Sequence, residues 1–198
     1  FNNRIENSNI SFNSYGIRLD TSVNSTILNS TIRNSYYGGL VLSYSNNSLL
    51  SNILIENNTY PTPFGYYNLF VDNSYLGSFI NVTINKNYKK GLWISNSANN
   101  KFVGLVVNSS GLLGDFGDGA IWFAGPKTRN NTFERTNIVN TYRAGYDVVF
   151  SIPSINETSF VDSVNIGNYS FEGVGGTVYF KDSTYGEIRF LTAINGSG

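Results

Sequence analysis

The 198-residue chain contains no histidine, no cysteine and no methionine. Without histidine it lacks the commonest general base near neutral pH and the commonest metal ligand. Without cysteine it can build neither a disulfide framework nor a thiolate metal site. Without methionine it opens at Phe1 with no initiator, as expected of a processed product, an excised domain or the ordered part of a longer chain. Charge is scarce: 13 basic side chains balance 13 acidic ones, 13% of the residues being charged. A zero net charge leaves no electrostatic footprint for nucleic acid or an anionic membrane, and Lys89-Lys90 is the nearest approach to a basic stripe. No run of about 18 apolar residues and no signal-like segment occurs, so the expectation is no membrane contact within this chain.

Asparagine is abundant, with 30 residues of this type, alongside much serine, threonine, tyrosine and glycine. Two stretches show why. YGIRLDTSVNSTILNSTIRNS begins at Tyr15, and YGGLVLSYSNNSLLSNILIENN begins at Tyr37. Aligned, Ile17 and Leu19 fall on Leu40 and Leu42, Asn24 on Asn47, Ile27 on Leu50 and Ile32 on Ile55. The first pair recurs as Leu69/Val71, Leu92/Ile94, Ile121/Phe123, Val148/Phe150 and Val178/Phe180. A second series runs Ile5, Ile27, Leu50, Phe79, Phe102, Phe133, Phe160. A third runs Ile10, Ile32, Ile55, Ile84, Val107, Ile138, Ile166. The period of about 22–31 residues is that of a solenoid.

Within each repeat the apolar residues stand alone or as i, i+2 pairs, which is strand periodicity. No segment sustains a helical pattern. Each repeat reads as three short strands separated by Asn/Ser/Gly turns. A unit so short cannot bury its apolar face alone, but stacked units bury a continuous core and pair like strands in parallel. The expected fold is an all-β, single-stranded parallel β-helix. About seven coils at about 4.8 Å each make a rod of roughly 35 Å. Asparagine then has two tasks. It tolerates the left-handed backbone of sharp corners, and stacked amides can hydrogen-bond along the rod. The expected corners are Asn24, Asn47, Asn100 and Asn131 before the second series, and Asn13, Asn34, Asn57, Asn87, Asn140 and Asn168 after the third.

GIRLDTSVNSTILNSTIRNS and GLWISNSANNKFVGLVV resemble the right-handed β-helix repeats of the periplasmic copper-binding, carbohydrate-binding and sugar-hydrolase-like group. The resemblance spans about Arg4 to Ala193 and supplies the right-handedness. It implies no single activity, because that group includes lyases, hydrolases, epimerases, adhesins and structural proteins. The histidine-bearing motifs of its hydrolases and epimerases cannot exist here, nor can a copper site of His, Met or Cys. An archaeal surface glycoprotein is similar in composition.

Extra residues gather at one corner of the coil. Ile55 to Leu69 takes 14 residues where Ile32 to Leu40 takes 8, and Val107 to Ile121 also takes 14. Ile138 to Val148 takes 10, and Ile166 to Val178 takes 12. Stacked, these insertions would form a lateral ridge carrying Tyr60, Phe64, Tyr66, Tyr67, Phe116, Tyr142, Tyr146, Tyr169 and Phe171. Such a ridge either packs on its own flank or contacts another subunit or sugar rings. In the insertion GDFGDGA, Asp115 and Asp118 could hold Ca²⁺ or serve as an acid/base pair, although Gly-Asp is also ordinary turn chemistry. No other cofactor is expected and no catalytic set stands out.

Asn-x-Ser/Thr occurs at Asn9, Asn24, Asn29, Asn46, Asn57, Asn81, Asn108, Asn130, Asn156, Asn168 and Asn195. Occupied sequons imply an extracellular or cell-surface protein carrying N-linked glycans. Neither end reads as a helical cap, so the chain would either continue or be capped by copies of itself. The leading expectation is therefore a single-domain structural glycoprotein, residues 1–198, that self-assembles into a filament, surface layer or adhesive fibre. The alternatives are a polysaccharide-binding or polysaccharide-cleaving β-helix and a viral fibre or adhesin domain.

Overall fold

The computed structural model describes residues 2–58, 67–86, 90–108, 119–139, 146–151, 155–161, 169–172, 176–181 and 188–191. These contain strands and turns and no helix. The strands are, in order, β1 (Arg4–Glu6), β2 (Asn9–Ser11), β3 (Tyr15–Asp20), β4 (Thr26–Arg33), β5 (Gly38–Ser43), β6 (Leu49–Glu56), β7 (Tyr67–Asp72), β8 (Ser78–Asn85), β9 (Lys90–Ser95) and β10 (Lys101–Val103). They continue as β11 (Val106–Asn108), β12 (Gly119–Ala124), β13 (Thr132–Glu134), β14 (Asn137–Val139), β15 (Tyr146–Ser151), β16 (Ile155–Val161), β17 (Tyr169–Glu172), β18 (Gly176–Lys181) and β19 (Ile188–Leu191).

Every pairing is parallel, and the strands fall into two sheets. Sheet B stacks β3, β5, β7, β9, β12, β15, β17 and β19. Sheet A stacks β1, β4, β6, β8, β10, β13, β16 and β18, with β2, β11 and β14 alongside. The three expected strand series thus make two sheets. The second and third series join into single strands in β4, β6 and β8 and are separate strands in β1/β2, β10/β11 and β13/β14. In the first six rungs the hinge between them is one residue with a left-handed backbone: Asn7, Asn29, Asn52, Asn81, Gly104 and Arg135.

Register is set by the apolar columns. Ile27, Leu50, Phe79, Phe102 and Phe133 lie directly over one another, each at most 1% exposed. Phe79 and Phe102 stack at 4.3 Å between ring centroids, and Phe102 and Phe133 at 4.6 Å. Ile17, Leu40, Leu69, Leu92, Ile121 and Val148 form the facing column from sheet B. A one-residue slip would turn each set outward, so burial itself holds the coils in line.

The last coil departs from the expected alignment. Phe180 pairs with Phe160 and Val178 with Thr158, which puts both in sheet A. The first series is continued instead by Tyr169 and Phe171, beside Val148 and Phe150, and then by Ile188 and Phe190. Among the described residues each path therefore has eight rungs, one more than the expected seven or so. The inward pairs of both sheets share the i, i+2 spacing, so periodicity alone cannot assign a pair to its sheet. The supposed insertion before Val178 is in fact where β17 lies. Ile166, Asn87, Asn140 and Asn168 lie outside the described residues.

Corner chemistry follows the expected logic with a shift of position. Among the described residues, 12 of the 18 non-glycine positions with positive φ are asparagine. Asn24, Asn34, Asn47 and Asn57 are among them; Asn13 is not. Asn100 and Asn131 are not either: Asn99 and Asn130 take the left-handed turn, and their successors point inward, at most 1% exposed. There the Asn100 amide donates to Asn131 Oδ1 (3.1 Å) and to the Ser74 carbonyl (3.0 Å), and Asn100 Oδ1 accepts from Gly77 N–H (2.8 Å). A serine ladder secures the neighbouring turn. The backbone N–H of Ser22, Ser45 and Ser74 donates to the hydroxyl of Ser45, Ser74 and Ser97 in the next coil, at 3.2, 2.9 and 3.0 Å. On the outside, Asn52 donates to Asn29 (3.0 Å), Asn81 to Asn52 (3.1 Å) and Asn57 to Asn34 (2.7 Å).

Two predictions test this packing. Phe102→Ala removes a ring stacked on both sides and should cost about 3–5 kcal/mol in urea unfolding, whereas Ile80→Ala on the outer face should cost about 0.5 kcal/mol or less. Ser74→Ala orphans the buried N–H of Ser45 and should cost about 1–3 kcal/mol.

Candidate functional site

Each sheet B strand carries one outward residue between its two inward apolar ones. In register these are Arg18, Val41, Phe70, Trp93 and Trp122. The chain has two tryptophans, and both stand in this column. The residues that open the strands add Tyr15, Gly38, Tyr67 and Lys90. Parallel stacking brings side chains 23 to 32 residues apart in sequence into contact, as with Phe70 and Trp93 or Lys90 and Trp122.

The aromatic rings form one cluster. Tyr67 and Phe70 lie 4.6 Å apart between centroids, Phe70 and Trp93 4.7 Å, and Tyr67 and Trp93 5.8 Å. Tyr67 leans over Gly38, where a Cβ would sit 3.0 Å from its ring, so glycine makes room for the ring. Val41 faces outward yet is only 4% exposed. The Lys90 ammonium lies 5.1 Å from the Trp93 ring centroid and 4.4 Å from that of Trp122, within cation–π range of both. Below the cluster, the Arg18 guanidinium sits 5.6 Å from the Tyr15 ring and donates to Asp20 at 2.6 Å. Asp20 raises the pKa of Arg18 further. Burial pushes the Tyr67 hydroxyl well above the ordinary tyrosine range, and Tyr15 adds to the effect. Tyr15 also meets Tyr37 at 5.7 Å, which extends the face to exposed Tyr36 and Tyr37.

Phe70, Trp93 and Trp122 are half-buried, and Trp93 Nε1–H is buried with no hydrogen-bond partner. The result is a continuous, partly open apolar strip along the rod, edged by charge and hydroxyl groups. Strips of this kind mark contact sites for other molecules. Of the residues expected at the ridge, Tyr67 belongs to this face. Tyr146 opens β15 opposite Gly119, two rungs above Lys90 in the same series of strand openings. Tyr169 and Phe171 are strand residues, not loop residues, and hold register positions that Ile121 and Phe123 occupy in the core. Their assignment to the ridge followed from the slipped alignment of the last coil. Tyr60, Phe64, Tyr66, Phe116 and Tyr142 lie outside the described residues, as do the Ca²⁺ candidates Asp115 and Asp118. Among the described residues no group of three or more acidic, His or Cys side chains could hold a metal ion.

Phe70, Trp93, Trp122 and Lys90 did not emerge from the sequence reading, although a signal existed. It is the residue between each inward pair, where bulky aromatics replace the polar residue expected on a solvated strand face. Of the sequons, Asn9, Asn24, Asn29, Asn57 and Asn81 are exposed, while Asn46, Asn108 and Asn130 are half-buried. Asn156 lies in β16, and Asn168 and Asn195 lie outside the described residues.

Tyr67 supplies a test of the cluster. Its raised pKa means that the fold favours the neutral phenol. That contribution to stability is fully present below about pH 10, where unfolded tyrosine titrates, and is lost as pH rises further. Tyr67→Phe should therefore flatten the decline of the unfolding midpoint above pH 10 relative to the parent chain.

No curated protein matches the chain in sequence. Solved structures share its fold at low identity. The Agl-KA catalytic domain matches with a TM-score of 0.65 and 19% identity, over 95% of this chain and 38% of that one. An alginate lyase from a Paenibacillus species matches with a TM-score of 0.59 and 11% identity, over 89% and 68%. Tailspike protein 2 of the Escherichia coli O157:H7 bacteriophage CAB120 matches with a TM-score of 0.58 and 16% identity, over 96% and 24%. The chain thus spans less than half the length of the tailspike and of Agl-KA. The family model described as right handed beta helix region matches residues 1–151. With its parallel, stacked coils, the chain belongs to the right-handed β-helix family.

Proposed function

We propose that the chain is a carbohydrate-binding β-helix that holds a polysaccharide against the outer face of sheet B. The observation that carries this reading is the outward cluster of Tyr67, Phe70, Trp93 and Trp122 on consecutive rungs. Aromatic side chains combine apolar area with a polar tip, which suits sugars that have both C–H and O–H surfaces. Because the rings pack along the rod, a bound polymer meets a strip and not a single pocket. The names of the similar structures, a lyase acting on alginate and a phage tailspike, favour this reading over a self-assembling filament. They also fit an extracellular or surface setting. The tailspike likeness fits a viral fibre as the larger body. Cleavage belongs to the same proposal, with Asp115 and Asp118 as the residues to test.

The two tryptophans make the test direct, since all indole emission arises at the site. Titration with alginate, neutral glucans and bacterial surface polysaccharides should shift the emission for at least one of these. Trp122→Ala should weaken that binding about tenfold or more, equivalent to about 1.4 kcal/mol, while leaving the far-ultraviolet dichroism unchanged. Unaltered affinity in this variant, or no binding by any of these polymers, overturns the proposal. A new reducing end or an unsaturated product that disappears in Asp118→Ala would add cleavage to binding.

A further inference from the structure

None of the eleven sequon asparagines lies within a strand of sheet B, Asn168 standing just before β17. The sheet that carries the aromatic face is thus clear of glycan acceptors, while the opposite side of the coil has them in register. Asn29 and Asn81 both belong to the left-handed hinge column of sheet A, with Asn52 between them. Asn29 lies 11 residues after Arg18 and 12 before Val41, midway round the coil from the aromatic column. At about 4.8 Å per rung, Asn29 and Asn81 stand about 10 Å apart along the rod.

We infer that Asn29 and Asn81 are N-glycosylation sites forming one glycan-bearing edge opposite the aromatic face. Sugar is attached through Nδ2, and the folded chain tolerates it only where that atom opens to solvent. Both asparagines are exposed. Asn29 uses its Oδ1 to accept from Asn52, and its Nδ2 has no hydrogen-bond partner among the described residues. Asn81 donates one Nδ2 hydrogen to Asn52, and a linked asparagine keeps one such hydrogen, so the amide ladder survives modification. The rung above Asn81 presents Gly104, whose missing side chain leaves the amide uncovered. The sequon hydroxyls, Thr31 and Thr83, lie on the outer face of sheet A at paired positions flanking Leu54.

Asn46 is the internal contrast. It is half-buried, its Oδ1 accepts from the Tyr75 N–H at 2.9 Å, and its sequon hydroxyl, Ser48, is 1% exposed. A glycan there would have to displace packed turn residues. The fold therefore separates acceptors that share one sequence pattern. The inference is independent of what the aromatic face binds.

The test is glycopeptide mass spectrometry on the full chain, secreted from a host that attaches N-glycans. Sugar mass is expected on the peptides holding Asn29 and Asn81 and not on Asn46. Thr31→Ala and Thr83→Ala should each remove the sugar from their own site, with the left-handed asparagines left in place and the unfolding midpoint nearly unchanged. Bare Asn29 and Asn81, or Asn46 modified to the same extent, overturns the inference.

Discussion

Axial registry is the constraint on which everything else rests. Each coil lies over the last so that like meets like: backbone N–H with backbone carbonyl, phenylalanine ring with ring, serine hydroxyl with turn amide. The coil alone has too little apolar surface to fold. Its interior appears only when the next coil closes over it, so stability is a property of neighbours. This explains the composition. A fold that repeats one cross-section selects the same few residue types at every rung, and asparagine is selected repeatedly because it accepts a left-handed backbone and can satisfy its own amide along the axis.

The same registry generates the site. A single outward aromatic on one strand would be an unremarkable surface residue. Packed within β7 and across to the next rung, Tyr67, Phe70 and Trp93 become a continuous strip with Lys90 set beside the indoles. The opposite edge receives the exposed amide column of Asn29, Asn52 and Asn81. Two faces of different chemistry thus follow from two positions within one repeat.

Much of this was legible in the sequence, and the reasons are local. Inward residues announce themselves because burial tolerates only apolar side chains, so Ile27, Leu50, Phe79 and Phe102 align without ambiguity. The last coil misaligned because Tyr169/Phe171 and Val178/Phe180 have the same spacing, and nothing in that spacing distinguishes one sheet from the other. The corner at Asn99–Asn100 was displaced by one residue because both are asparagine, although one turns the chain and the other is buried. The aromatic face is harder to read, because its central column, Phe70, Trp93 and Trp122, places one residue per coil, each between two core residues whose periodicity dominates the pattern. The insertions drew the functional reading towards loops, whereas Tyr67 proves to be the link between that corner and the sheet.

The most direct measurement is cross-linking between rungs, made simple by the absence of native cysteine. Ser51 and Ile80 are register partners on the outer face of sheet A, in β6 and β8. Parallel neighbours about 4.8 Å apart fall within the Cα separation of about 4.4–6.8 Å that a disulfide spans. The double variant Ser51→Cys/Ile80→Cys should therefore oxidise to an intramolecular disulfide, while Ser51→Cys/Ser78→Cys, displaced by two residues along β8, should remain reduced. A bridge in the displaced pair and none in the matched pair would contradict the registry.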